Sequence, residues 1–447
     1  MRSLLTAGAA ALMLALTLAP AGAQASGGGS GLAPSPGTGG THGSHGARPG
    51  AAARSTRAVR ELRRGLNRGM RQAGAYSGAY VLDLTTGRTL YAHHANTGRM
   101  PASVEKLYTT TTALQRFGPD ATLTTSLLGT GQLRGGTYTG TLYLRGGGDP
   151  TFGSATFDQA AYGTGATIQQ LVADVVHAPG LRALRGRVVA DETLFDSDRG
   201  TPATGNRRST EVEGELSALA YDRGWRNRYG TSLVANPALS AGRALIGALR
   251  AAGVNVPRRT RVTAAATPPG ANVLASVASP TIAQLVALTN TPSDNYFAET
   301  LLKDIGAKFG AAGTTAAGAA VVRAQMAQSF GIHPRLDDGS GLSRYDRTTP
   351  RQVVMLLRGM ASDPDFTNSL AVAGETGTLQ DELRGTYAQG RCRGKTGSLH
   401  DASNVVGYCR SRDGHTLAFA VLTNGIYPDY AHPIQDRMIV ALARYDG

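Results

Sequence analysis

The chain has 447 residues, 41% of them hydrophobic and 17% charged, and a formal net charge of +14. That balance excludes disorder as the general state and leaves room for two or three domains. Of the 45 basic residues only four are lysine, Lys106, Lys303, Lys308 and Lys395, so an amine that must give up its proton has few places to reside.

Residues 1–25 read as a secretory signal. Arg2 is the positive end, residues 4–19 are apolar, Pro20 breaks the run, and Ala21-Gly-Ala23 and Ala23-Gln-Ala25 offer small-residue cleavage sites. The run falls short of the about 20 apolar residues a membrane span needs, and no later segment is apolar enough to cross a bilayer. An exported protein of the cell envelope is expected. Residues 26–53, rich in Gly, Ser, Pro and Ala, read as a flexible tether in which His42 and His45 are solvated. A helix is predicted over residues 57–72. Arg54, Arg57, Arg60, Arg63, Arg64, Arg68 and Arg71 crowd it against a single acid, Glu61. Such a face is either an ordinary solvated basic surface or one suited to anionic cell-wall polymers or lipid headgroups. It lacks the aromatics that stack on bases, so nucleic acid is not expected as a partner.

Residues 78–83 and 88–91 read as a hairpin around Thr86-Gly87. Pro101-Ala102 introduces a helix from Ser103 to Arg116, ended by Phe117-Gly118-Pro119. Beyond Asp120, strands are predicted at 122–128, 140–144, 187–190 and 232–235, with helices at 168–177 and 237–252. Helices follow at 282–288, 295–305, 313–330 and 351–360. Strands at 391–398, 404–408 and 416–422 precede a last helix at 434–444. The fold class is α+β. The first hairpin and the last three strands make an antiparallel sheet of about five strands with helices on both faces. Residues 54–120 and 280–447 then form the catalytic domain, and residues 121–279 an inserted mixed α/β lobe. A turn at His400-Asp401 would set Cys392 and Cys409 opposite each other across a hairpin. A disulfide there is permitted by export and would brace the strand carrying Lys395.

Three motifs carry chemistry. In Ser103-Val-Glu-Lys106 the spacing puts hydroxyl and amine on one helical face, and a helix N-terminus favours negative charge near the serine. Ser293-Asp-Asn295 lies between two helices, where the same residues also serve as an ordinary N-cap. Lys395-Thr-Gly-Ser398 sits in a strand, where glycine marks close approach of another backbone or a ligand. Each alone is weak; the three in this order on an exported chain are specific.

On these motifs the chain resembles the penicillin-binding, active-site-serine DD-peptidases. Within them it looks most like the D-alanyl-D-alanine carboxypeptidase/endopeptidase family, the class C, type-4 low-molecular-mass group. Further strings support the resemblance: Gly146-Gly-Gly-Asp-Pro-Thr151, Val188-Val-Ala-Asp-Glu-Thr-Leu-Phe195, Leu216-Ser-Ala-Leu219, Asp338-Gly-Ser-Gly-Leu-Ser-Arg344 and Gly377-Thr-Leu379. The long segment between Lys106 and Ser293 also fits, since compact β-lactamases have a much shorter one. The stretch Gly205-Asn-Arg-Arg-Ser-Thr210 departs from the family's aromatic or acidic pattern before Leu-Ser-Ala-Leu, and the lobe is short for the family.

The resemblance implies a penicillin-binding transpeptidase/β-lactamase-like fold and an acyl-enzyme on Ser103, with peptidoglycan stem peptides as substrate and β-lactams as covalent inhibitors. It implies Lys106 as general base and Ser293 as proton relay. Asn295 would bind the substrate amide, and Lys395 and Thr396 its terminal carboxylate. Backbone N–H groups of Ser103 and Ser398 would hold the oxyanion, and Arg344 would contact substrate beyond the scissile bond. Lys395 would also lower the pKa of Lys106 as a neighbouring like charge. No metal or cofactor is required. Two other readings stay open: a β-lactamase or related esterase, for which Glu375 and Glu382 are candidate deacylating acids, and a non-enzymatic envelope protein that binds peptidoglycan through its basic surface.

Overall fold

The computed structural model describes residues 51–447 apart from Arg228. The expected signal segment and nearly all of the tether lie outside the described residues. Helix α1 (Ala51–Ala73) begins inside the expected tether, and the side chain of Arg54 is not described. Strands β1 (Ser77–Asp83) and β2 (Thr89–His93) form the hairpin, and α2 (Lys106–Phe117) follows.

The inserted segment holds β3 (Thr124–Arg134), β4 (Thr137–Arg145), α3 (Ala155–Ala161), α4 (Ile168–His177), β5 (Ala183–Asp191), α5 (Pro237–Ala251), β6 (Val262–Ala264) and β7 (Asn272–Ala278). The chain returns through α6 (Ile282–Asn290), α7 (Asn295–Phe309), α8 (Thr315–Phe330), α9 (Pro350–Met360) and α10 (Pro364–Asn368). Strands β8 (Ala371–Val372), β9 (Cys392–Leu399), β10 (Ala402–Arg410) and β11 (Thr416–Asn424) and helix α11 (Pro428–Ala443) complete it.

The first sheet runs β2-β1-β11-β10-β9-β8, antiparallel throughout. The five expected strands are all there, and the two-residue β8 adds a sixth at the edge. Side chains alternate between faces along each strand. Ala79, Val81, Phe419 and Val421 pack against Leu62, Leu66 and Met70 of α1 and Met438 and Leu442 of α11. Tyr80, Leu82, Ala420 and Leu422 pack on the opposite face with Leu107 and Tyr108 of α2 and Val353 and Leu357 of α9. The sheet is thus buried on both faces. In β9–β10 the register sets Cys392 directly opposite Cys409, and the two sulfurs are bonded.

The second sheet, β6-β5-β4-β3-β7, is mixed: β4, β5 and β6 are parallel, while β3 is antiparallel to β4 and β7. Helices α4 and α5 cover one face through Leu171, Val175, Leu245 and Leu249. Both sheets belong to one compact unit. The strand expected at 232–235 is absent. Only a single bridge from Trp225 to Leu233 forms, because Asn236 already caps α5. The edge strands β6 and β7 were not foreseen; most of their residues are at least partly exposed, so they lack a buried run.

Candidate active site

Ser103 was expected to open an α-helix. It lies instead in a 3-10 turn, Ala102–Glu105, and α2 starts only at Lys106. Residues three apart eclipse in a 3-10 turn, which brings Lys106 Nζ to 2.9 Å from Ser103 Oγ. Lys106 Nζ also donates to Asn295 Oδ1 at 2.7 Å and to the Ser340 carbonyl at 2.9 Å. In its neutral form the amine accepts the Ser103 hydroxyl proton across the same contact. Lys106 is fully buried. Burial pushes its ammonium down to about 8 from 10.5, against the pull of Glu213, Asp294, Glu299 and Asp338. Of the two causes the sequence suggested, desolvation and a second ammonium, desolvation dominates.

The Ser340 carbonyl is held by its own loop. Asp338 accepts the N–H groups of Gly341 and Ser343 at 2.7 Å each, and Glu299 on α7 accepts those of Gly339 and Ser340. Gly341 has φ +83, and a Cβ there would fall 1.9 Å from the Ala102 carbonyl oxygen. Only glycine lets this loop close over the Ser103 turn.

Asp294 caps α7 by accepting the Phe297 N–H at 2.9 Å and is ion-paired with Arg223. Ser293, one residue earlier, takes φ +71, a conformation L-residues seldom adopt. Its Oγ accepts from Lys395 Nζ at 2.7 Å. Lys395 is fully buried, and its ammonium is held well below the usual value, first by burial and then by Lys106.

Strand β9 is pressed against the Ser103 turn. A Cβ on Gly397 would lie 2.7 Å from the Pro101 carbonyl oxygen and 2.9 Å from the Ser103 nitrogen, which accounts for glycine in this motif. Asn404 on β10 anchors the segment before the turn through its Nδ2 and the Pro101 carbonyl, at 2.8 Å. Strand β8 pairs only with Arg393 and Gly394, so the edge from Lys395 onward faces the serine rather than a strand. The Thr396 hydroxyl is 2.8 Å from that of Thr378, in the Gly377-Thr-Leu379 string.

Ser103, Lys106 and Asn295 are therefore one hydrogen-bonded chain, and Lys395 and Ser293 another. Arg344 lines a cleft of about 1080 Å³ together with Asn295, Ser343, Leu399 and His400. Its guanidinium makes a two-pronged contact to Asp401 at 2.8 and 2.9 Å, so one side of it is already engaged by the β9–β10 turn. A buried amine shifted towards neutrality beside a serine hydroxyl is the arrangement of an activated nucleophile and its base.

The pattern of the D-Ala-D-Ala carboxypeptidase 3 (S13) family matches this chain at residues 62–207 and 203–445. The chain belongs to that family. A D-alanyl-D-alanine carboxypeptidase from Actinomadura sp. is 29% identical over 84% of this chain and 82% of its own length. The carboxypeptidase DacB of Mycolicibacterium smegmatis is 29% identical over 78% of this chain and 76% of its own. Penicillin binding protein 4 of Haemophilus influenzae superposes with a TM-score of 0.71 at 18% identity, covering 85% of this chain and 99% of that one. It shares the fold.

Within the S13 frame, the sequence reading missed residues that act on the motifs from a distance along the chain. Arg223 is buried beside Asp294, with the rings of Tyr162, Trp225, Tyr296 and Phe297 around its guanidinium. Glu213 accepts the Asn295 backbone N–H at 2.8 Å. Their only sequence signal is proximity to Leu216-Ser-Ala-Leu219. Lys303, outside any motif, is also fully buried, with Nζ 2.5 Å from Asp196 Oδ1.

Proposed function

We propose that the protein is a serine-type D-Ala-D-Ala carboxypeptidase of the cell envelope that works through an acyl-enzyme on Ser103. The observation that carries this is the contact of a fully buried Lys106 amine with Ser103 Oγ at 2.9 Å. Neutral Lys106 takes the hydroxyl proton as Ser103 Oγ attacks the carbonyl of the D-Ala-D-Ala bond. The backbone N–H groups of Ser103 and Ser398 receive the oxyanion; one such donor supplies roughly 2.7–4 kcal/mol. The C–N bond breaks as Ser293, supplied by Lys395, passes a proton to the leaving D-alanine nitrogen. Lys395 and Thr396 hold the terminal carboxylate, and Asn295 binds the peptide amide. Water then attacks the ester, its proton passing by way of Ser293 back to Lys395, while Lys106 returns its proton to Ser103 Oγ as the C–O bond breaks. Release of a cross-linked D-amino acid by the same steps would be endopeptidase action.

β-Lactams acylate the same serine, because the strained ring presents its amide as the scissile bond does. The family membership and the carboxypeptidase relatives support this reading. So does the β-lactam complex solved for penicillin binding protein 4 of Haemophilus influenzae, a chain of the same fold. Glu382, one candidate acid for a β-lactamase, is instead turned to His432 at 3.4 Å.

The envelope location rests on the signal-like residues 1–25. Among the described residues no helix is long and apolar enough to cross a membrane. On α1, Leu62, Leu66 and Met70 are buried while Arg60, Arg64, Arg68 and Arg71 are exposed, a face suited to anionic wall polymer. The test of the catalytic reading is labelling with a fluorescent penicillin. Wild-type protein takes up one label per chain and releases it slowly, and Ser103→Ala takes up none. Equal labelling of the alanine variant would refute the nucleophile, and rapid turnover of penicillin without release of D-alanine from a stem-peptide mimic would favour a β-lactamase.

A further inference from the structure

The inserted segment supplies no strand to the catalytic sheet, yet it closes on the Ser293-Asp294-Asn295 turn from three directions. Arg223 pairs with Asp294. The Glu211 carbonyl accepts from Asn295 Nδ2 at 2.8 Å, and Glu213 Oε2 accepts from the Asn295 backbone N–H at 2.8 Å. An asparagine amide has one accepting and one donating end. The Glu211 contact therefore fixes which end meets Lys106: Oδ1, at 2.7 Å.

Glu213 is held in an unusual way. It ends the short 3-10 turn Thr210–Val212 with φ +66 and ψ +13, the left-handed conformation. Glycine is the ordinary occupant of such a position, and a glutamate there is strained. A glycine stands next door, but at Gly214 a Cβ would strike the Tyr296 ring at 2.4 Å. The strained backbone aims the Glu213 carboxylate at the first N–H of α7, a donor with no partner inside its own helix.

Charges crowd this point. Lys106 is faced by Glu213, Asp294, Glu299 and Asp338, with Glu105 and Lys395 as further neighbours. Glu213 is faced by Asp294, Arg223 and Lys106. We propose that Glu213 is a positioning residue for the acylation of Ser103: from the inserted segment it holds Asn295 against Lys106 and sets a negative charge beside that amine. The lobe is then part of the catalytic apparatus rather than an appendage to it. This inference rests on the reading of Ser103 and Lys106 as nucleophile and base.

Two substitutions test it, each read by the second-order rate of acylation by benzylpenicillin from pH 5.5 to 9 and by thermal melting. Glu213→Gly removes the carboxylate while suiting the left-handed backbone, so the melting temperature should hold or rise. Acylation should fall about tenfold or more, the loss of one hydrogen bond to a charged group. Glu213→Gln keeps an oxygen for the Asn295 N–H but drops the charge. Its rate should fall less than that of the glycine variant, and its acid limb should move to lower pH, because an anion that favours the protonated Lys106 is gone. Wild-type acylation by Glu213→Gly overturns the proposal. So does a loss that merely tracks a lowered melting temperature, or an unmoved acid limb in Glu213→Gln. Failure of the wild-type protein itself to acylate would instead sink the reading of Ser103.

Discussion

Acylation should titrate with Lys106, and substitution of that lysine should abolish the titration. Burial lowers its ammonium from 10.5 to about 8, a differential interaction of roughly 3 kcal/mol. At pH 7 about one-tenth of the chains then carry the neutral amine. An unshifted lysine would offer roughly 300-fold less. The sign follows from the role: the base must be neutral, so the rate rises about tenfold per pH unit below 8 and levels off above it. Lys106→Arg retains a cation near Ser103 but cannot give up its proton at these pH values. Its acylation should lose the limb and run about 10²–10⁴-fold slower. The assay is stopped-flow acylation by a chromogenic cephalosporin between pH 5.5 and 9, with ionic strength fixed. A flat wild-type profile, or the same limb in Lys106→Arg, would refute the assignment of the base.

Removing Arg223 alone, as Arg223→Met, leaves the partly buried Asp294 without its cation and should destabilise by up to about 3 kcal/mol, the low end for breaking a buried pair. Arg223→Met with Asp294→Asn should recover much of that, since asparagine still caps α7, and urea unfolding of the four proteins in the cycle measures the coupling. Burial raises the Asp149 carboxyl to about 7. This group's contribution to stability is therefore greatest below its unfolded value near 3.8 and is lost as pH rises towards 7. Asp149→Asn should raise the melting temperature at pH 8 more than at pH 5, while keeping the oxygen that receives the Thr151 N–H and hydroxyl. Replacing Cys392 and Cys409 with serine opens a link across a sequence separation of 17. It should cost about 3 kcal/mol by loop-closure entropy, seen as a lower melting temperature that reducing agent reproduces in the wild-type protein.

The catalytic sheet was readable because its strands carry long buried runs: β11 is buried at every position but the first. Edge strands β6 and β7 carry no such run, and the segment at 232–235 imitated one without a partner. The motif serines and lysines were readable because residue type and order alone mark them. The turn holding Ser103 was not, since nothing local separates a 3-10 turn from the first turn of α2. Arg223 and Glu213 were invisible for a different reason. Their roles depend on a long-range contact and, at Glu213, on a backbone angle, and neither leaves a periodic trace. Arg344 shows the converse: its motif singled it out, but Asp401 as its partner depends on where the β9–β10 turn folds back.

The catalytic sheet also dictates when activity can begin. Strand β1 pairs with β11, Ser77 with Thr423, almost from one end of the described chain to the other. The inserted segment closes its own sheet from consecutive stretches of chain and has its own core, so it can form early. The nucleophile turn cannot be completed then, because Lys395 and the edge of β9 arrive only with the last strands, and β11 joins the two halves of the sheet. Non-local pairing of this kind forms late. A chain still being synthesised carries Ser103 and Lys106 without their partner strand. The enzyme is thus inert by construction until nearly its whole length is free to fold, and a chain cut before β11 should keep a folded lobe and no acylating serine.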